Sequence, residues 1–164
     1  MKKVFSLLVE NTSGVLSRVA GLFSRRGYNI TSLTVGETAN PRYSRMTVVA
    51  EGDEQILDQI RKQLAKLIDV IDIRELEPEE SVSRELILVK VRVMDDQRQS
   101  AITMANVFRG KVVDVGIDSL IIELTGQQSK LDAFIRLLKD FEILELARTG
   151  ITGLCRGSDG VRYL

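Results

Sequence analysis

The stretch from Leu8 to Ile30 constrains the fold more than any other part of the chain. It reads as the end of an apolar strand, a polar turn (Asn11-Thr12-Ser13-Gly14), an amphipathic helix, a glycine at Gly27, and a second strand opening at Tyr28-Asn29-Ile30. The helical part is expected from about Gly14 to Arg26. Val15, Leu16, Val19, Ala20, Leu22 and Phe23 recur there at the spacing of one buried face. Thr12 or Ser13 is expected to cap its start, and Gly27 to end it. A strand that enters a helix through a polar, glycine-bearing turn exposes free backbone N–H groups, and such a helix start can hold a small anion.

The same punctuation extends along the chain. Val4 to Val9 reads as a strand, Tyr28 to Glu37 as a second, and Ser44 to Glu51 as a third, with a turn at Thr38-Ala39-Asn40-Pro41-Arg42. Gly52-Asp53 then introduces a helix from about Glu54 to Leu67, whose inward face is Ile56, Leu57, Ile60, Leu64 and Leu67. Asp69 to Leu76 is the fourth strand. The order β-α-β-β-α-β is that of a ferredoxin-like fold, in which two helices cover one face of a four-stranded sheet and the other face stays free.

The order then repeats. Strands are expected at Glu85 to Val93, Lys111 to Val115, Ser119 to Leu124 and Ile143 to Gly150, with helices at Asp96 to Phe108 and Ser129 to Phe141. Glu77-Pro78-Glu79-Glu80-Ser81 is polar and breaks both periodicities. The expected fold class is therefore α+β, with two ferredoxin-like domains: residues 1–77, a linker at 78–83, and residues 84–164 with an irregular tail from Thr152.

Composition narrows the function. Lys plus Arg and Asp plus Glu both number 23, so the net charge is zero. Up to Pro78 the chain carries 11 basic against 10 acidic residues, and beyond it 12 against 13. Neither part has the basic excess of a nucleic-acid binder. Aromatic residues are only 5%, too few for the stacking platform of an RNA-binding sheet. There is no histidine, which removes the usual general base and the commonest metal ligand. A single cysteine, Cys155, rules out an internal disulfide and fits a cytoplasmic setting. It has no histidine partner and reads as a bystander thiol. No apolar run approaches the roughly 20 residues that cross a bilayer. A stand-alone enzyme would have to work with carboxylates, lysine, tyrosine or one thiol.

Each candidate site has a structural alternative. Asn11 to Gly14 reads either as a ligand cradle, with the Val15 and Leu16 N–H groups donating to a carboxylate, or as an ordinary helix cap. Asn29 reads either as a partner for an amino or carboxylate group or as a strand-start turn residue. Arg25 and Arg26 with Arg61, Lys62 and Lys66 read as a solvated helix face before a phosphate site, given the zero net charge. Asp95-Asp96 reads as dipole-favourable capping before a metal site.

Glu10-Asn11-Thr12-Ser13-Gly14-Val15-Leu16-Ser17-Arg18, followed by Gly21-Leu22-Phe23-Ser24-Arg25-Arg26-Gly27-Tyr28-Asn29-Ile30, resembles the regulatory (small) subunits of acetolactate synthase, also called acetohydroxyacid synthase. So do Ser32-Leu33-Thr34-Val35, Ser44-Arg45-Met46-Thr47, Arg84-Glu85-Leu86, Phe108-Arg109-Gly110 and Lys130-Leu131-Asp132-Ala133-Phe134. The resemblance runs over nearly the whole chain. It implies an N-terminal ACT domain that pairs with a second copy, valine bound at that dimer interface, and a C-terminal domain that helps engage and activate the catalytic large subunit. Asn11, Gly14 and Asn29 match the effector-binding positions, with Val15, Leu16 and Ile30 beside them. It further implies that thiamine diphosphate, Mg²⁺ and FAD belong to the large subunit, with no cofactor, metal, catalytic residue, nucleic acid or membrane partner for this chain. The alternative is a free-standing amino-acid-sensing ACT protein acting on another partner.

Overall fold

The computed structural model describes residues 1–158. The described residues divide into two compact units: residues 1–83 together with 151–158, and Arg84–Gly150.

In the first unit, β1 (Lys2–Glu10) leads into α1 (Val15–Arg26), β2 (Asn29–Glu37), β3 (Tyr43–Glu51), α2 (Glu54–Ala65) and β4 (Val70–Glu75). The sheet order is β2-β3-β1-β4, all antiparallel. Strand alternation places Phe5, Leu7 and Val9 of β1 beside Met46, Val48 and Ala50 of β3, under Val19, Phe23, Leu57, Ile60 and Leu64 of the helices. A fully buried side chain of this size contributes about 1.5–3 kcal/mol, so this layer fixes the unit. Gly27 ends α1 in the left-handed conformation. Its N–H donates to Ser24 O, and the Tyr28 N–H donates to Phe23 O at 3.0 Å. The Tyr28 ring meets the Phe23 ring edge-on, the apolar contact that accompanies such a helix end.

The structure corrects three expectations. First, the outer face of this sheet is not free. Ser6, Leu8, Thr47 and Val49 point away from the helices, yet all are buried. The cover is the expected irregular tail: Thr152–Cys155 forms a strand, β9, that pairs with β5. The Thr34 hydroxyl donates to Ile151 O at 3.2 Å. Gly153 makes this approach possible, because a Cβ there would stand 2.7 Å from Ser83 Oγ and 2.9 Å from Val82 O. Residues 159–164 of the tail lie outside the described residues. Second, the expected linker 78–83 is shorter, because β5 (Ser81–Arg92) starts inside it. Ser81 is buried and its hydroxyl donates to Glu77 O. The domain expected at 84–164 accordingly gives up residues 151–158 to the first unit. Third, neither Thr12 nor Ser13 caps α1; Gly14 holds the cap position, with no side-chain hydrogen bond.

The second unit repeats the order with the main length of β5, then α3 (Asp95–Val107), β6 (Lys111–Val115), β7 (Ser119–Gly126), α4 (Gln128–Leu137), a 3-10 turn at Leu138–Asp140, and β8 (Glu142–Arg148). The strand order is β6-β7-β5-β8. Ile87, Val89 and Val91 of β5 pack with Leu120, Ile122 and Leu124 of β7 beneath Ala101, Ala105, Leu131 and Phe134. Arg148 locks the unit's first and last strands. Its Nε and Nη2 donate to the two carboxylate oxygens of buried Glu85, both at 2.9 Å, and its Nη1 donates to Asp132 of α4 at 3.0 Å. These bonds hold the guanidinium pKa well above its ordinary value.

Candidate functional site

The β1–α1 junction carries the candidate site. At the end of β1 the Glu10 N–H donates to Asp69 O, and the Asn11 N–H to Arg42 O at 2.8 Å. The Asn11 carboxamide donates to Pro41 O at 2.8 Å and to Glu37 Oε2 at 3.3 Å. Its amide nitrogen is thus committed to the β2–β3 hairpin. Its carbonyl oxygen takes no donor among the described residues and remains available for a cation such as an ammonium.

Gly14 has φ +87°, a conformation residues with a Cβ rarely adopt. The first helical hydrogen bond runs from the Arg18 N–H to Gly14 O at 2.9 Å. The N–H groups of Val15, Leu16 and Ser17 precede it. No side chain caps this start and no acidic residue lies in its first turn. The neighbouring helix is unlike it: Asp53 Oδ1 accepts from the Ile56 N–H at 2.8 Å, and Glu54 occupies the first turn of α2. The α1 terminus therefore keeps its donors and its partial positive charge for an outside acceptor. Val15 is buried in the core beneath the cradle, whereas Leu16 is 47% exposed. Val35, toward the same end of β2, is also 47% exposed and offers apolar surface.

The structure does not bring all six candidate residues together in one chain. Asn11, Gly14, Val15 and Leu16 cluster at the end of β1. Asn29 is exposed at the start of β2, in register with Glu51, which pairs with Lys2. It is separated from Asn11 by the length of β1, about 26 Å at strand rise. Ile30 follows Asn29 and is half-buried against the core. β2 is an edge strand.

One residue of the junction escaped the sequence reading. Arg18 donates through Nε and Nη2 to the two oxygens of Asp69, and this pairing raises its pKa. Its position four residues after Gly14 puts it over the same helix end, a spacing legible in the sequence. The remaining candidates occupy structural roles. Arg61 and Lys62 both pair with Asp58. Asp95 and Asp96 lie in the first turn of α3. Cys155 sits beside the Arg45 and Arg74 guanidiniums. Among the described residues no group of three or more His, Cys, Asp or Glu is placed to hold a metal ion, and no helix is long and apolar enough to cross a membrane.

Two β-α-β-β-α-β units, the first with an uncapped glycine helix start, define a tandem α+β protein of ferredoxin-like architecture. The family described as the AHAS small subunit-like ACT domain matches residues 5–72, and the family described as the small subunit of acetolactate synthase matches residues 84–157. A probable acetolactate synthase small subunit of Methanothermobacter thermautotrophicus is 54% identical over 94% of this chain and 93% of its own. The acetolactate synthase small subunit of Haemophilus influenzae is 46% identical over 98% of this chain and 99% of its own. The crystal structure of the acetolactate synthase small subunit from Thermotoga maritima superposes with a TM-score of 0.87 at 42% identity, covering 96% of this chain and 99% of that one. The chain belongs to the family of acetolactate synthase small subunits.

Proposed function

We propose that the chain is a regulatory subunit that activates the catalytic large subunit of acetolactate synthase and makes it sensitive to valine. The observation that carries this reading is the β1–α1 junction. It offers backbone donors for a carboxylate, the Asn11 carbonyl for an ammonium, and exposed Leu16 and Val35 for an aliphatic side chain. Valine presents those three groups. The chain has no histidine; in this reading it acts through binding, and the chemistry on thiamine diphosphate, Mg²⁺ and FAD belongs to the large subunit.

Edge strand β2 supports a paired arrangement. Its rim is unpaired and rich in Thr, Ser and Val, so it can add a further strand. Antiparallel pairing with a second copy about Leu33, the middle of the strand, would set Asn29 of one copy beside Glu37 of the other. Glu37 is already bonded to Asn11. The two residue groups that lie far apart in one chain would then complete one site between two chains. Valine bound there favours one arrangement of the pair over another, and only such differential affinity can reach the catalytic subunit. A coupling of about 1–3 kcal/mol gives a roughly 5- to 150-fold effect.

The test is acetolactate formation by the large subunit, with and without this chain, across a valine titration. Activity is expected to rise on adding the chain and to fall as valine is added. No change with an active large subunit overturns the partner; a rise indifferent to valine, leucine and isoleucine overturns the effector.

A further inference from the structure

We propose that Arg18 is the recognition residue for the effector's carboxylate, with Asp69 as the residue that positions it; this rests on the valine reading of the junction. Asp69 engages Arg18 side-on, through Nε and Nη2. That geometry leaves Nη1 outside the pair, and no acceptor for Nη1 exists among the described residues. Nη1 stands directly over the Gly14 backbone: a Cβ built on Gly14 would lie 2.9 Å from it. The free donor of the guanidinium and the first N–H groups of α1 therefore face the same small space.

Charge points the same way. A cation near a helix N-terminus sits against the positive end of the dipole and is ordinarily unfavourable there. The first turn of α1 contains no acid to relieve it. Asp69 neutralises one side of the guanidinium, and its own position is tied to the site because its carbonyl accepts the Glu10 N–H next to Asn11. An incoming carboxylate supplies the anion that the Nη1 side lacks. It accepts a charge-assisted bond from Nη1 beside the bonds from the helix N–H groups. Gly14 is required for the same reason: any side chain there enters the space between guanidinium and backbone.

The inference separates the carboxylate from the rest of the ligand, and so does its test. Binding of valine and of valinamide, which lacks the carboxylate, is measured by calorimetry on the full chain and on Arg18→Gln. The wild-type chain is expected to prefer valine, and Arg18→Gln to lose roughly 10- to 100-fold in valine affinity while valinamide affinity changes little, so that the preference collapses. Arg18→Lys keeps the charge opposite Asp69 but lacks the fork, and is expected to lose most of the preference too; it serves if Arg18→Gln does not fold. An equal loss for both ligands, or an unchanged valine-to-valinamide ratio in a folded variant, makes Arg18 a structural residue and overturns the inference alone. Failure of the wild-type chain to bind valine overturns the valine reading and this inference with it.

Discussion

The two units pass from their first strand into their first helix at equivalent junctions, and they finish those junctions in opposite ways. At β1–α1 the cap is Gly14, the first turn holds no acid, and Arg18, four residues on, keeps Nη1 free. At β5–α3 the cap is Met94, whose N–H is closed by Gln97 Oε1 at 3.1 Å, and Asp95 and Asp96 fill the first turn. Arg98, again four residues after the cap, spends its Nη1 and Nη2 on Gly116 O and Ile117 O of the β6–β7 hairpin. One topology thus yields two helix starts without a side-chain cap, one with two acids in its first turn and one with none, so that only the α1 start lacks a nearby anion. The difference lies in side chains, not in the fold, and it is the ground on which ligand binding is proposed for the first unit and not for the same corner of the second.

That contrast can be broken at several points. The largest expected effect is on stability and belongs to the second unit. Arg148→Met strands the Glu85 carboxylate, which is only 4% exposed, and should cost about 3–5 kcal/mol. Thermal and denaturant unfolding check this; a loss below about 1 kcal/mol would show that the pair is dispensable. Next comes Gly14→Asp. The new carboxylate would occupy the cradle beside Arg18 Nη1, on a backbone whose positive φ adds strain. Valine affinity should fall roughly 100-fold, about 2.7 kcal/mol, as read by calorimetry; near-normal binding would move the site elsewhere. The smallest effect is expected from Asp95→Asn combined with Asp96→Asn. Losing two charges from the α3 start should cost about 0.3–1 kcal/mol for each and leave valine affinity unchanged. A change in valine binding there would mean that the two junctions are not independent.

Much of this was legible in the sequence, for a local reason. Helix α1 announces itself through Val15, Val19, Leu22 and Phe23 on one face and Gly27 at its end, and β3 through the alternation of Met46, Val48 and Ala50 with Thr47, Val49 and Glu51, because periodicity and caps are set by neighbours in the chain. The glycine turn at the start of α1 was legible for the same reason, since Gly14 both permits and marks the positive φ. Strand β9 was not. Thr152-Gly153-Leu154-Cys155 carries no periodic signal, and what orders it is a sheet face built far earlier in the sequence, from Thr34 and its neighbours. The same blindness produced the expectation of a free sheet face. Thr12 and Ser13 were plausible caps by residue type, yet the left-handed Gly14 takes the cap position itself. Asn29 was placed with Asn11 by resemblance, at an interface between two copies; within one chain, strand register keeps them at opposite ends of β1.

The measurement that tests the central claim most directly is a valine titration of the full chain followed residue by residue through backbone amide NMR shifts. If the first unit's junction is the anion cradle, the Val15 and Leu16 amides shift and saturate together with the Arg18 side chain and Asn11, while Asp95 to Gln97 at the start of α3 stay still. Valine-dependent shifts at α3, with Val15 and Leu16 unmoved, would contradict it.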